Sequence, residues 1–298
     1  LENYGVDIHF ITGGTLTNLT FLSHALRPYE AVISADTGHI NTHETGAIEA
    51  SGHKVLSIPC TDGKLTADLI RPVLKQHENE HWVEPRLVYI SLPTELGTVY
   101  AKEELEKLYQ FCKRHNLYLY IDGARLAMAL AVEETQLTLK DLPDLCDAFY
   151  IGGTKNGAMF GEALILVNDD LKDHFRFNMK QRGAILAKGW MIGVQFEELF
   201  QDNLYLELGK RSVALAQRLK QGFIDCKIPF LCDSPTNQLF PIFPNEFAKK
   251  INENYVTTFQ CKPDENHTCL RFCTSWATNE QAVEDFIKDL KQWSYIYA

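Results

Sequence analysis

The chain has 298 residues, 45% of them hydrophobic and 23% charged, which is the composition of a globular protein with a sizeable core and excludes a disordered chain. Its 39 acidic against 29 basic residues leave a net charge of −10, which argues against a nucleic-acid partner and requires any phosphate site to be local. No apolar run approaches the roughly 20 residues that span a bilayer, so no membrane partner is expected.

The eight cysteines are scattered without a Cys-x-x-Cys pair and read as core thiols of a reducing, cytoplasmic compartment. The sequence opens on Leu1-Glu-Asn-Tyr and enters a strand within a few residues, so a preceding segment is expected. Ile8 to Ile11 reads as a strand, Thr15 to Leu26 as a helix, Ala31 to Ser34 as a strand and His39 to Ser51 as a helix. The alternation continues with a strand at Lys54 to Ile58, a helix at Ala67 to Glu78, a strand at Arg86 to Ser91 and an amphipathic helix at Lys102 to His115. A strand ending at Asp122, a helical Leu139 to Leu145, a strand ending at Gly152 and a hairpin-like Glu162 to Val167 follow. The rhythm is βαβ and predicts an α/β fold on a mostly parallel sheet.

Helical patterns then run from Leu171 through Phe200 and from Leu204 to Ile224. Short strands at Gln238 to Phe243, Thr257 to Cys261 and Leu270 to Cys273, and a helix at Asn279 to Trp293, predict a small α+β domain. The expected division is 1–225 and 226–298.

Two charged residues carry the chemistry. Leu117-Tyr-Leu-Tyr-Ile-Asp122 and Phe149-Tyr-Ile-Gly-Gly-Thr-Lys155 are apolar runs ending in an acid and an amine, at the carboxyl ends of strands where open α/β sheets bind ligands. Pyridoxal phosphate needs both groups. A lysine holds it as a Schiff base, and a carboxylate keeps the pyridine nitrogen protonated so that the ring accepts electrons. The alternative treats Asp122 as a turn residue and Lys155 as a solvated cation; their joint placement favours the cofactor.

Thr12-Gly-Gly-Thr-Leu-Thr-Asn18 follows the first strand, so Gly14 and Thr15 are phosphate candidates at a helix start, although a Thr-capped turn reads the same way. His39 either stacks on the pyridine ring or packs structurally, with His43 as second choice; no third ligand supports a metal site. Arg125 is placed to reach the cofactor's phenolic oxygen or a substrate carboxylate, and Arg271 supplies a guanidinium fork for a carboxylate. Lys180, Arg182 and Lys188 form a basic patch that suits either a phosphate contact from a neighbouring subunit or a solvated helix face.

Gly-Gly-Thr at 13–15, His39 with Glu44, Asp-Gly-Ala-Arg at 122–125, Thr-Lys-Asn-Gly at 154–157 and Leu-Arg-Phe at 270–272 together resemble the threonine aldolase group of fold-type-I pyridoxal-phosphate enzymes. The resemblance covers essentially the whole chain. It implies an aspartate aminotransferase-like three-layer α-β-α sandwich, a dimer or tetramer, and retro-aldol cleavage of a β-hydroxy-α-amino acid. It also implies Lys155 as the Schiff-base lysine, Asp122 at the pyridine nitrogen, His39 on the ring face, Gly14 and Thr15 at the phosphate, Arg125 near the phenolic oxygen, and Arg271 on the substrate carboxylate. Leu92-Pro-Thr-Glu-Leu-Gly97 departs from the histidine-bearing segment of such enzymes, which leaves Glu95 as a substrate-side candidate. β-Elimination, transamination and a non-catalytic scaffold are the alternatives.

Overall fold

The computed structural model describes residues 4–297. Its large sheet contains β1 (Asp7–Ile11), β2 (Glu30–Ala35), β3 (Lys54–Ile58), β4 (Glu84–Ser91), β5 (Tyr118–Asp122), β6 (Ala148–Gly152) and β7 (Glu162–Leu166), in the order β1-β7-β6-β5-β4-β2-β3. Strands β2 to β6 are mutually parallel, while β7 runs antiparallel to both β6 and β1. Parallel strands need crossovers on the sheet faces, so the central strands are buried on both sides and read as apolar runs.

Alternate residues of these strands enter two cores. Val88, Ile90, Leu119, Ile121, Phe149 and Ile151 pack on the face covered by α4 (Ala67–Gln76), α5 (Lys102–Arg114), α6 (Leu126–Leu130) and α8 (Trp190–Leu199). Tyr89, Tyr120, Tyr150 and Leu164 pack on the other, beneath α1 (Gly14–Ala25), α2 (His39–Thr42), α3 (Ala47–Ala50) and α7 (Phe175–Gln181). The result is the expected three-layer sandwich with a mostly parallel sheet.

A second, antiparallel sheet joins β8 (Gln238–Leu239), β9 (Ile242–Pro244), β10 (Thr258–Cys261) and β11 (His267–Cys273), flanked by α10 (Asn245–Asn254) and α11 (Glu280–Tyr297). The helix α9 (Leu204–Asp225) serves both bodies: Tyr205 and Val213 enter the large core, and Leu215, Leu219 and Phe223 enter the small one.

Four elements differ from the expected pattern. The helix expected over 39–51 is two short pieces, because Thr45 and Gly46 take left-handed backbone with φ of 53° and 68°. The run expected to be helical from 171 to 200 is broken between α7 and α8, where Gly183 has φ 72°. Residues 139–145 supply only a short turn at Leu142–Asp144, and the helix stands earlier, at α6. α10 falls between strands where no helix was expected; its Phe247, Ala248 and Ile251 face the small core. Among the described residues, no helix is long and apolar enough to cross a membrane.

Candidate active site

The carboxyl ends of β4, β5 and β6 meet α1 and α2. Asp122 closes β5 and is 3% exposed. Its Oδ2 accepts from Tyr89 Oη at 2.6 Å and Asn18 Nδ2 at 3.0 Å, and its Oδ1 accepts from the Ala124 amide at 3.0 Å. Three donors fix the carboxylate's orientation.

Asn18 is the hinge of a longer chain. The same Nδ2 donates to Glu44 Oε1 at 2.7 Å, and Asn18 Oδ1 accepts from Tyr120 Oη at 3.0 Å. Glu44 Oε1 in turn lies 2.8 Å from His39 Nδ1. On the other side of Asp122, Tyr89 Oη is 3.3 Å from Ser91 Oγ, which donates to Glu95 Oε1 at 3.2 Å. His39 and Glu95 are therefore the two ends of one continuous polar chain centred on Asp122.

Burial shapes the electrostatics here. It raises the Glu44 carboxyl, with bonds from His39 and Asn18 opposing. It would lower His39, but the bond to Glu44 and the charges of Glu95 and Asp122 outweigh it and hold the imidazole above its ordinary value. The His43 ring stacks beside His39 with centroids 5.4 Å apart. Among the described residues no group of three or more His, Cys, Asp or Glu side chains could hold a metal ion.

Lys155 lies in the loop joining β6 to β7. The chain is pinned on both sides of Lys155: the Gly153 amide donates to Glu162 Oε2 at 2.8 Å, and Asn156 Nδ2 donates to the Tyr205 carbonyl at 2.7 Å. Burial and then the Arg125 guanidinium push the Lys155 amine below its ordinary value, while Asp122 and Glu95 pull the other way. These groups lie within electrostatic reach of one another. Glu162, itself buried, is raised to about 7 by loss of solvent.

The strand ends approach closely because they lack side chains. A Cβ on Gly123 would lie 1.9 Å from the Tyr150 carbonyl oxygen, and the Gly152 amide bonds to the Gly123 carbonyl at 3.0 Å. Nearby, α1 begins at Gly14 after an extended Gly13, and no side chain caps it. Its first-turn N–H groups lack intrahelical acceptors, and the space beside Gly13 is open to at least 4 Å. An anion finds a ready site at such an end.

The structure brings Asp122, Lys155, His39, Arg125, Glu95 and the Gly14–Thr15 turn to the carboxyl end of the sheet. Arg271 stands apart on β11, half-buried, and pairs with no carboxylate among the described residues. Lys180, Arg182 and Lys188 lie on and after α7, with Arg182 Nε bonded to Ser23 Oγ at 3.2 Å on the outer side of α1. Sequence reasoning missed Asn18, Tyr89 and Ser91. The alternation that turns Tyr89 and Ser91 to the same face as Asp122 was the available signal.

This constellation on a mostly parallel sheet defines a fold-type-I, aminotransferase-like architecture. The aspartate aminotransferase of Thermus thermophilus shares that fold with a TM-score of 0.68 at 14% identity, over 97% of this chain and 75% of that one. The Beta-eliminating lyase family matches residues 4–243, and the chain belongs to it. The low specificity L-threonine aldolases of Pseudomonas aeruginosa and of a Pseudomonas species are 29% and 31% identical, each over 96% of this chain and 82% of the relative. The threonine aldolase of Leishmania major superposes with a TM-score of 0.96 at 51% identity, covering 97% of this chain and 85% of that one. The resemblance to the threonine aldolase group is borne out.

Proposed function

We propose that this protein cleaves L-threonine and similar β-hydroxy-α-amino acids to glycine and an aldehyde, using pyridoxal phosphate. The observation that carries the reading is the pairing, at the carboxyl ends of β5 and β6, of a three-donor carboxylate at Asp122 with a half-buried amine at Lys155 whose affinity for a proton is lowered. The donor set fits the cofactor: an amine with an enlarged neutral fraction, a carboxylate with lone pairs to spare, an imidazole at the cleft and an uncapped helix start for phosphate. When bound, pyridoxal phosphate supplies an electron sink for the pair released as a bond at Cα breaks.

The protein's own residues would do the rest. Lys155 attaches the cofactor, Asp122 holds the pyridine N–H, and Gly14 and Thr15 offer N–H groups to the phosphate. Arg125 meets the phenolic oxygen. His39, its Nδ1 committed to Glu44, covers the ring face and takes the β-hydroxyl proton at Nε2, with Glu95 as the other acceptor at the far end of the chain. Arg271 receives the substrate carboxylate, carried by residues 226–298 acting as a small domain.

A homo-oligomer in a reducing, cytoplasmic setting fits two further features. All eight cysteines are free. An apolar groove of about 450 Å³ includes Ile8, Phe10, Phe196 and Phe200, and Trp190 and Val194 of the same helix α8 are exposed. In such an assembly Lys180, Arg182 or Lys188 would reach a neighbour's phosphate site.

Purified, cofactor-loaded protein should release acetaldehyde and glycine from L-threonine. Pyruvate and ammonia from L-serine without acetaldehyde from threonine would replace this reading with β-elimination.

A further inference from the structure

Three buried polar atoms cluster on the small sheet without a hydrogen-bond partner: Nε of Arg271 and both amide atoms of Gln238. β8 and β11 pair antiparallel, with Gln238 opposite Cys273 and Leu239 opposite Phe272. Leu239 and Phe272 point into the small core, so Gln238, Cys273 and Arg271 share the opposite face. Arg271 is two residues from Cys273 and is therefore the diagonal neighbour of Gln238, at the ~7–8 Å spacing that two long side chains span.

That face lies beside the large body. The loop entering β8 bonds to the segment after β4, through Cys232 Sγ to the Leu96 carbonyl at 3.0 Å and Ser234 Oγ to the Gly97 carbonyl at 3.1 Å. Glu95, one end of the polar chain, is the next residue. Gln238 is 0% exposed, so bulk solvent does not reach its amide. A buried polar group left unpaired is a rare feature that calls for a partner.

The unpaired atoms are complementary: Arg271 Nε is a donor without an acceptor, and Gln238 Oε1 is an acceptor without a donor. We propose that Gln238 is a positioning residue for the substrate-carboxylate site. The two atoms are not bonded to each other in this structure; as a substrate carboxylate docks, Gln238 Oε1 takes the Nε hydrogen of Arg271 and turns the terminal guanidinium nitrogens outward, so that the fork meets the carboxylate with both of them. This rests on the assignment of Arg271 to the substrate carboxylate. It adds that the fork is aimed from behind, by a residue that never touches substrate.

The test uses cofactor-loaded protein, with Gln238→Leu, Gln238→Met as a second variant of similar reach, Arg271→Lys, and the double variant Arg271→Lys with Gln238→Leu. Gln238→Leu should raise KM for L-threonine about tenfold with kcat within about twofold, and weaken glycine binding, measured by calorimetry, in parallel. Cofactor affinity and melting temperature should not fall, since the amide makes no bond in the fold. In the Arg271→Lys background, which lacks Nε and the fork, Gln238→Leu should add nothing. A Gln238 variant with unchanged KM and glycine affinity, or with the same effect in both backgrounds, overturns the positioning role while leaving Arg271 in place. Unchanged KM and glycine affinity in Arg271→Lys alone would instead remove the carboxylate assignment itself, and this proposal with it.

Discussion

His39 Nδ1 lies 2.8 Å from Glu44 Oε1, and that bond is the main influence holding the imidazole above its ordinary value against burial. Glu44→Gln withdraws the charge, so the acidic limb of the kcat/KM profile moves to lower pH. Stability has a matching sign. A histidine raised above 6.5 contributes stability that is complete below pH 6.5 and lost as pH rises through its folded value; Glu44, raised above 4.5, adds a loss in the same direction. The melting temperature of the parent protein should therefore fall more steeply with rising pH than that of Glu44→Gln. An unmoved limb together with equal slopes would break the pairing.

Asn18 separates two buried carboxylates by donating to both, at 2.7 Å to Glu44 and 3.0 Å to Asp122. Asn18→Asp replaces the shared donor with a third acid. It should destabilise the protein by about 3 kcal/mol at pH 8, with less loss at pH 5, where Glu44, raised by burial, is more often neutral. Cofactor affinity, followed by equilibrium dialysis, should fall as Asp122 loses its fixed orientation.

Glu162 is a second source of pH dependence, outside that chain. Its pKa of about 7, raised from 4.5 by burial, means that ionising it in the folded state works against stability as pH passes from 4.5 to 7. Glu162→Gln keeps an oxygen for the Gly153 amide and removes the charge. Thermal or urea unfolding should show the variant gaining on the parent between pH 5 and pH 8, by at most about 3 kcal/mol. A constant difference across that range would show that Glu162 carries no such load.

Gly123→Ala should act on the backbone. The added Cβ meets the Tyr150 carbonyl oxygen at 1.9 Å, and a main-chain oxygen within the sheet has no rotamer into which it can retreat. A loss of at least about 2 kcal/mol is expected, visible as a lower melting temperature in both cofactor-free and loaded protein. Gly13→Ala, with open space around the position, should cost far less stability.

Asp122 and Lys155 were legible because each ends an apolar run, and an apolar run followed by a charge marks a strand end in this class of sheet. Asn18 was not legible. It lies 104 residues from Asp122, one turn into a helix where an asparagine usually reads as solvated, and only the tertiary crossing of α1 over β5 gives it a role. Tyr89 and Ser91 were hidden inside a strand whose pattern burial alone accounts for. The α6 sequence Leu-Ala-Met-Ala-Leu is apolar all round, so no period separates it from a strand or a loop. At 39–51 the apolar pattern was helical, but left-handed Thr45 and Gly46 overrode it and turned Glu44 back towards His39.

The most direct measurement is to reduce cofactor-loaded protein with borohydride and map the labelled peptide by mass spectrometry. A pyridoxyl-phosphate mass is expected on Lys155, lost in Lys155→Ala together with threonine cleavage. Label on another lysine, or full activity in Lys155→Ala, would contradict it.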